Sequence, residues 1–262
     1  MPELPEVEYY KKYFESTSIG KTVEEVTVRS SQILEDITKN ELKTKLTSKE
    51  FLSAQRYGKY LFVNVSGEFW LALHFGMTGN LQYFKDPDEE PLYDRLRVIF
   101  DDGYHLAFDC QRKFGRVAIA PKVTDFVEKK QLGMDALQVG WDKFKGTMQK
   151  RRGRVKPTLM NQHVVAGIGN LYSDEIIFQT GVHPETKICE FDDQKLEDLF
   201  SSMKRVLKMA VRKQADYSQF PKTYLLTDRL EGAKCPLCGG EIQTLKISGR
   251  TAYFCSKHQK QT

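Results

Sequence analysis

The apolar positions change period twice along this chain, and those changes mark where its parts begin. Val7, Tyr10, Lys11 and Phe14 fall at helical spacing across residues 5–18, and Ser18-Ile19-Gly20 closes the run, which predicts a single helix. From about residue 21 to 120 the signal is that of strands. Tyr60–Val65 and Phe69–His74 are short apolar runs divided by Ser66-Gly67. Leu96–Phe100 and Tyr104–Phe108 flank Asp102-Gly103, a dipeptide suited to a tight hairpin turn. Many short strands divided by turns predict a β-sandwich with the helix packed on it.

The second half returns to helical spacing. Leu196, Leu199, Phe200, Met203, Val206, Leu207 and Ala210 share one face of a helix that starts at Asp192. Val155–Gln162 and Leu171–Gln179 read as two more helices, the latter entered through Gly167-Ile168-Gly169-Asn170. These patterns predict a multidomain α+β protein. A sandwich domain is expected over residues 1–125, a linker over 126–145, a helical domain over 146–229 and a small third unit over 230–262.

Composition narrows the picture only a little. At 262 residues the chain builds one large or two ordinary domains without disulfide staples, and 40% hydrophobic with 29% charged residues is ordinary for a globular protein. A net charge of +5 is compatible with a nucleic-acid partner but does not point to one. No apolar run is long enough to span a membrane, and the polar, acidic start is unlike a signal peptide, so a cytoplasmic location is expected. Of five cysteines, Cys110 and Cys189 stand alone while Cys235, Cys238 and Cys255 cluster, which suits a reducing compartment and a metal site.

That cluster is the most specific local signal. Cys235-x2-Cys238, sixteen residues, then Cys255-x2-His258 supplies the four N/S ligands a structural Zn²⁺ prefers. Gly239-Gly240 lets the backbone turn around the metal, and the alternation of residues 241–254 predicts a β-hairpin with Arg250 at its tip. A site filled by four protein ligands serves folding, not catalysis.

The other chemical signal is the start, Met1-Pro2-Glu3-Leu4-Pro5-Glu6. Loss of the initiator Met leaves a proline secondary amine. An α-amino group has a pKa of about 8 against about 10.4 for lysine, so far more of it is nucleophilic near neutrality. Condensed with an aldehyde carbon it forms a charged iminium, an electron sink, and Glu3 beside it is placed to move protons.

These pieces occur in order with Gly58-Lys59-Tyr60-Leu61, His74-Phe75-Gly76-Met77-Thr78-Gly79, Arg112-Lys113-Phe114-Gly115 and Val165–Tyr172 with Asp174-Glu175. The ordered set closely resembles the formamidopyrimidine-DNA glycosylase and endonuclease VIII family of DNA repair enzymes, most of all its bacterial formamidopyrimidine branch, over essentially the whole chain. The resemblance implies an N-terminal β-sandwich, a helix–two-turn–helix domain and a zinc finger. It also implies a bifunctional glycosylase and abasic-site lyase of base excision repair, a monomer acting on damaged double-stranded DNA without a small-molecule cofactor.

The resemblance also implies roles. Pro2 would attack the sugar C1′, Glu3 would exchange protons at the sugar with Glu6 in support, Lys59 would act in β-elimination, and Arg250 in δ-elimination and phosphate contact. Met77, Arg112 and Phe114 match the family's void-filling residues, which suit a base taken out of the stack. Arg152, Lys156 and Asn170 match DNA contacts, Lys113 stands where the family has an arginine, and Glu175 matches a carboxylate near the cleft. His258 replaces a usual cysteine, and Tyr93 a usual histidine. The segment from Ala215 to Gly232 is short where the branch carries a loop over flipped 8-oxoguanine, which tilts the expected lesion toward formamidopyrimidines and hydantoins. The alternatives are an oxidised-pyrimidine preference of endonuclease VIII type and a damaged-DNA binder without chemistry.

Overall fold

Helix α1 (Leu4–Ser18) forms where the helical spacing predicted it. The structure, a computed structural model, describes residues 1–260. It divides into two compact units, the first comprising Met1–Pro2 and Glu6–Lys130, the second Glu3–Pro5 and the chain from Gln131 onward.

The first unit is the expected sandwich. Its strands are β1 (Val23–Val28), β2 (Phe51–Tyr57), β3 (Tyr60–Val65), β4 (Phe69–His74), β5 (Gly79–Phe84), β6 (Asp94–Phe100), β7 (His105–Cys110) and β8 (Arg116–Ala120). They form two antiparallel sheets of order β1-β6-β7-β5 and β2-β3-β4-β8. Val7 and Phe14 of α1 share one core with Leu61, Val63, Leu71, Leu73, Leu96, Val98 and Phe108, drawn from both sheets. Helix α2 (Lys39–Leu46) starts at Thr38 with a capping box to Glu41, which satisfies two otherwise orphaned donors.

Strand β3 is buried on both faces. Leu61 and Val63 join the main core, while Phe62, Ala72, Ala118 and Ala120 pack with Phe126 of helix α3 (Val123–Lys129) in a second cluster. The predicted linker over 126–145 is therefore structured. Its first residues close the outer sheet face, and the remainder forms β9 (Met134–Asp135) and the start of α4 (Trp141–Met148), with Phe144 fully buried.

In the second unit β9 pairs in parallel with β10 (Val165–Ala166), and α5 (Val155–Met160), α6 (Asn170–Thr180) and α7 (Asp193–Arg212) follow. Asp192 caps α7 by accepting from the Lys195 N–H at 2.7 Å, and Leu196, Leu199, Met203, Val206, Leu207 and Ala210 form its buried face. The hairpin β11 (Gln243–Ile247) and β12 (Arg250–Phe254) packs in this same unit, where Cys235, Ile242 and Cys255 cluster with Phe178 and Leu225. Residues 230–260 thus share a core with the helical part and do not form a separate unit. No described helix is long and apolar enough to cross a membrane.

Candidate functional site

Glu3 is almost fully buried, and its carboxylate accepts from three backbone N–H groups at the start of α6: Gly169 at 2.5 Å, Leu171 at 2.9 Å and Tyr172 at 3.4 Å. A helix N-terminus offers unsatisfied donors and partial positive charge, so it fixes an anion there. Acidic residues near a chain start ordinarily favour their own helix; this one caps another. Leu4 completes the clamp, donating its N–H to the Gly167 carbonyl at 3.0 Å. Gly167 has φ +116, and a Cβ there would lie 2.6 Å from Leu4 Cδ1. Pro2 precedes Glu3, with its nitrogen in the peptide bond to an exposed Met1. Glu6, one turn into α1, is half-buried.

In the first unit, Lys59 lies with Gly58 in the two-residue turn between β2 and β3, and is buried to 6% exposure. Gly58 supplies the left-handed φ of 56 that this turn requires. Arg56 holds the turn: its buried guanidinium pairs with Glu8 at 2.8 Å and donates to the Gly58 carbonyl at 3.0 Å. Nothing in the sequence pattern singles out Arg56.

Two exposed loops carry the void-filling candidates. Met77 and Phe114 are 42% and 49% exposed, high for large apolar side chains, and the Arg112 guanidinium stands 5.3 Å from the Phe114 ring centroid. The loops meet backbone to backbone, since a Cβ on Gly76 would lie 2.4 Å from the Phe114 carbonyl carbon. The Arg112 N–H donates to Thr78 Oγ1 at 3.2 Å, and the Gly76 N–H to His74 Nδ1 at 3.2 Å. Burial, with Lys59 and Arg116 nearby, pulls His74 down to about 4, which keeps this nitrogen an acceptor at neutral pH. Lys113 takes a left-handed φ of 54 between Arg112 and Phe114. Tyr93 accepts a hydrogen bond on its hydroxyl from Gln111 at 3.3 Å.

In the second unit, Asn170 opens α6, and its buried Oδ1 has no hydrogen-bond partner among the described residues. Arg152 is exposed in a hollow lined by Lys150, Arg151, Pro157 and Asn161. Arg250 is exposed at the hairpin tip, where Ser248 and Gly249 adopt φ of 48 and 74. Two residues expected as DNA contacts are enclosed by the protein. Lys156 is fully buried, its ammonium paired with Asp174. Glu175 is also fully buried and faces the protein, accepting from the Leu226 N–H and from Gln179 Nε2, each at 2.8 Å. Burial pushes it up to about 7. Both lie where helical spacing turns inward, which a motif match does not register.

Cys235, Cys238 and Cys255 bring their sulfurs within 4.8 Å of one another, a donor set suited to a metal ion. A Cβ on Gly240 would meet the Cys255 sulfur at 3.0 Å, so glycine there keeps the space clear. His258, expected as fourth ligand, is not drawn into this group. Its Nε2–H donates to the Phe178 carbonyl at 2.8 Å, and its ring packs on Phe178 at 4.9 Å.

The formamidopyrimidine-DNA glycosylase N-terminal domain matches residues 1–117, and the formamidopyrimidine-DNA glycosylase H2TH domain matches residues 132–222. The formamidopyrimidine-DNA glycosylase of Rippkaea orientalis is 31% identical over 281 residues, spanning 99% of this chain and 100% of that protein. The chain belongs to the formamidopyrimidine-DNA glycosylase family. Solved structures agree. Wild-type Lactococcus lactis Fpg in complex with DNA containing N7-benzyl-Fapy-dG matches with a TM-score of 0.88 and 27% identity, covering 99% of this chain and 100% of that one. MutM in complex with DNA containing carbocyclic 8-oxo-G matches with a TM-score of 0.89 and 28% identity over the same shares. Members of this family are DNA glycosylases with abasic-site lyase activity, and the chain is an enzyme of that class.

Proposed function

We propose that this protein removes oxidised bases from double-stranded DNA through a Schiff base on Pro2 and then nicks the abasic strand by β,δ-elimination. The observation that carries this reading is the Glu3 carboxylate, buried and held by three N–H groups at the residue following Pro2. A carboxylate so fixed moves protons without first having to be ordered. With Met1 removed, the Pro2 lone pair forms a bond to C1′ while the C1′–base bond breaks and the base leaves with its electron pair. The Glu3 carboxylate takes the proton from the Pro2 nitrogen and passes it to the ring oxygen as the C1′–O4′ bond breaks and the sugar opens to the iminium. Loss of the C2′ proton, assisted by Lys59, expels the 3′ phosphate. Loss of the C4′ proton expels the 5′ phosphate, with Arg250 on that group.

The same reading includes one structural Zn²⁺ on Cys235, Cys238 and Cys255, with His258 as fourth ligand. The Nε2–H bond to Phe178 leaves Nδ1 as the nitrogen with a free lone pair, and a histidine ligand commonly donates its other N–H to a backbone carbonyl.

For the lesion, the short segment after α7 supports formamidopyrimidines and hydantoins over 8-oxoguanine. Phe220, Tyr224 and Leu225 in it are buried, and Glu175 ties it down at Leu226, so little of it is free to close over a base. The 281-residue alignment to the Rippkaea protein, against 262 residues here, shows that this chain lacks stretches its relative carries.

Borohydride reduction on an abasic-site duplex, followed by mass spectrometry, tests the reading. A covalent adduct at Pro2 is expected, and an active enzyme retaining Met1 would overturn it. Duplexes carrying single lesions, run alongside, should show formamidopyrimidine and hydantoin excised faster than 8-oxoguanine; equal rates reject the lesion assignment.

A further inference from the structure

Lys156, Asp174 and Arg229 form an ion cluster in the second unit that the chemistry above does not use. Lys156 and Asp174 are both fully buried, and the Arg229 side chain is 15% exposed. An ammonium has three donors, and that of Lys156 spends them on the Asp174 carboxylate, the Asn170 carbonyl at 3.4 Å and the Thr251 carbonyl at 3.5 Å. Asp174 Oδ2 accepts from Arg229 at 3.1 Å (Nε) and 2.7 Å (Nη2). The same guanidinium lies 4.1 Å from the Tyr253 ring centroid.

Burying such charges is costly, and replacing a buried ion cluster by apolar residues is often neutral or stabilising, so fold stability alone is a weak reason for it. What distinguishes this cluster is where its outer contacts fall. Strand β12 is held twice, at the Thr251 carbonyl and at the Tyr253 ring, and Arg250 immediately precedes Thr251. A two-stranded hairpin is only marginally stable by itself, so the tip takes its placement from what anchors it. The Asn170 carbonyl on the same ammonium ties that placement to the start of α6.

We propose that the Asp174–Lys156–Arg229 cluster is a positioning device that holds β12, and with it Arg250, in place for the second elimination. The inference rests on the role given to Arg250 above. Asp174 and Arg229 are positioning residues acting through Lys156 and Tyr253.

The test uses full-length, metal-loaded protein and an abasic-site duplex. Two readouts are taken: the yield of borohydride-trapped adduct, and the share of nicked product that has undergone both eliminations. Asp174→Asn is expected to lower that share about tenfold, the loss of about one charge-assisted hydrogen bond expressed as a rate ratio, with trapping unchanged. Arg229→Gln removes the outer partner only, and is expected to act in the same direction if Asp174→Asn fails to fold. Arg250→Ala is the reference. If it loses the second elimination while both cluster variants keep it, the positioning role is overturned. If Arg250→Ala keeps it, the role of Arg250 itself is wrong and the inference falls with it. Parallel loss of trapping and of the second elimination would mark a merely structural cluster and also overturns the proposal.

Discussion

Glu175 shows how burial sets the charge state of a motif residue. Its carboxyl is fully enclosed and titrates at about 7 in place of 4.5, with burial the largest cause. A raised acid pKa means that folding favours the protonated form. Its contribution is fully present below about 4.5 and is lost as the pH rises through about 7, amounting to about 3 kcal/mol. Denaturant midpoints measured from pH 5 to 8 should therefore fall more steeply in the wild type than in Glu175→Gln, where this loss is absent. Parallel curves for the two proteins would refute the assignment. His74 works with the opposite sign, since its depressed pKa costs stability as the pH falls from about 6.5 toward 4.

At the scale of elements, the two loops that follow β4 and β7 behave as one piece. Gly76 has φ +59 and lies against the Phe114 backbone, so Gly76→Ala introduces both strain and a clash that no side chain can relieve. The expected result is a loss of about 1–3 kcal/mol in stability. Excision of a lesion, which needs the base extruded, should fall more than strand scission at a preformed abasic site. Equal losses in the two assays would show that the loops do not serve extrusion. Met77 and Phe114, each beside a glycine, are exposed. The sequence did not reveal that the two glycine turns touch, because hydrophobic period says which face is buried and not which loop lies beside which. For the same reason the segment 126–145 read as a linker. Phe126 makes sense only beneath an already folded sheet, where Phe62 and Ala118 wait for a cover.

At the scale of the whole molecule, the mild net charge of +5 conceals how the cations are distributed. Lys156 is spent internally on Asp174 and Arg56 on Glu8, while Arg152 and Arg250 stay exposed. Each phosphate neutralised by an exposed cation adds about 0.9 to the slope of log affinity against log salt. Arg152→Gln should lower the magnitude of that slope by about 0.9 in anisotropy titrations on duplex DNA; an unchanged slope removes Arg152 from the contact surface.

The sandwich, the helices and the cysteine spacing were legible in the chain itself. Period, turn chemistry and ligand spacing are local properties, written within a few residues of where they act. Tertiary structure alone decided that Glu3 caps α6 and not its own helix, that Lys156 and Glu175 turn inward, and that His258 leans on Phe178. Each of these pairs residues far apart in sequence, and burial, which sets both charge state and availability, exists only once the distant partner has arrived.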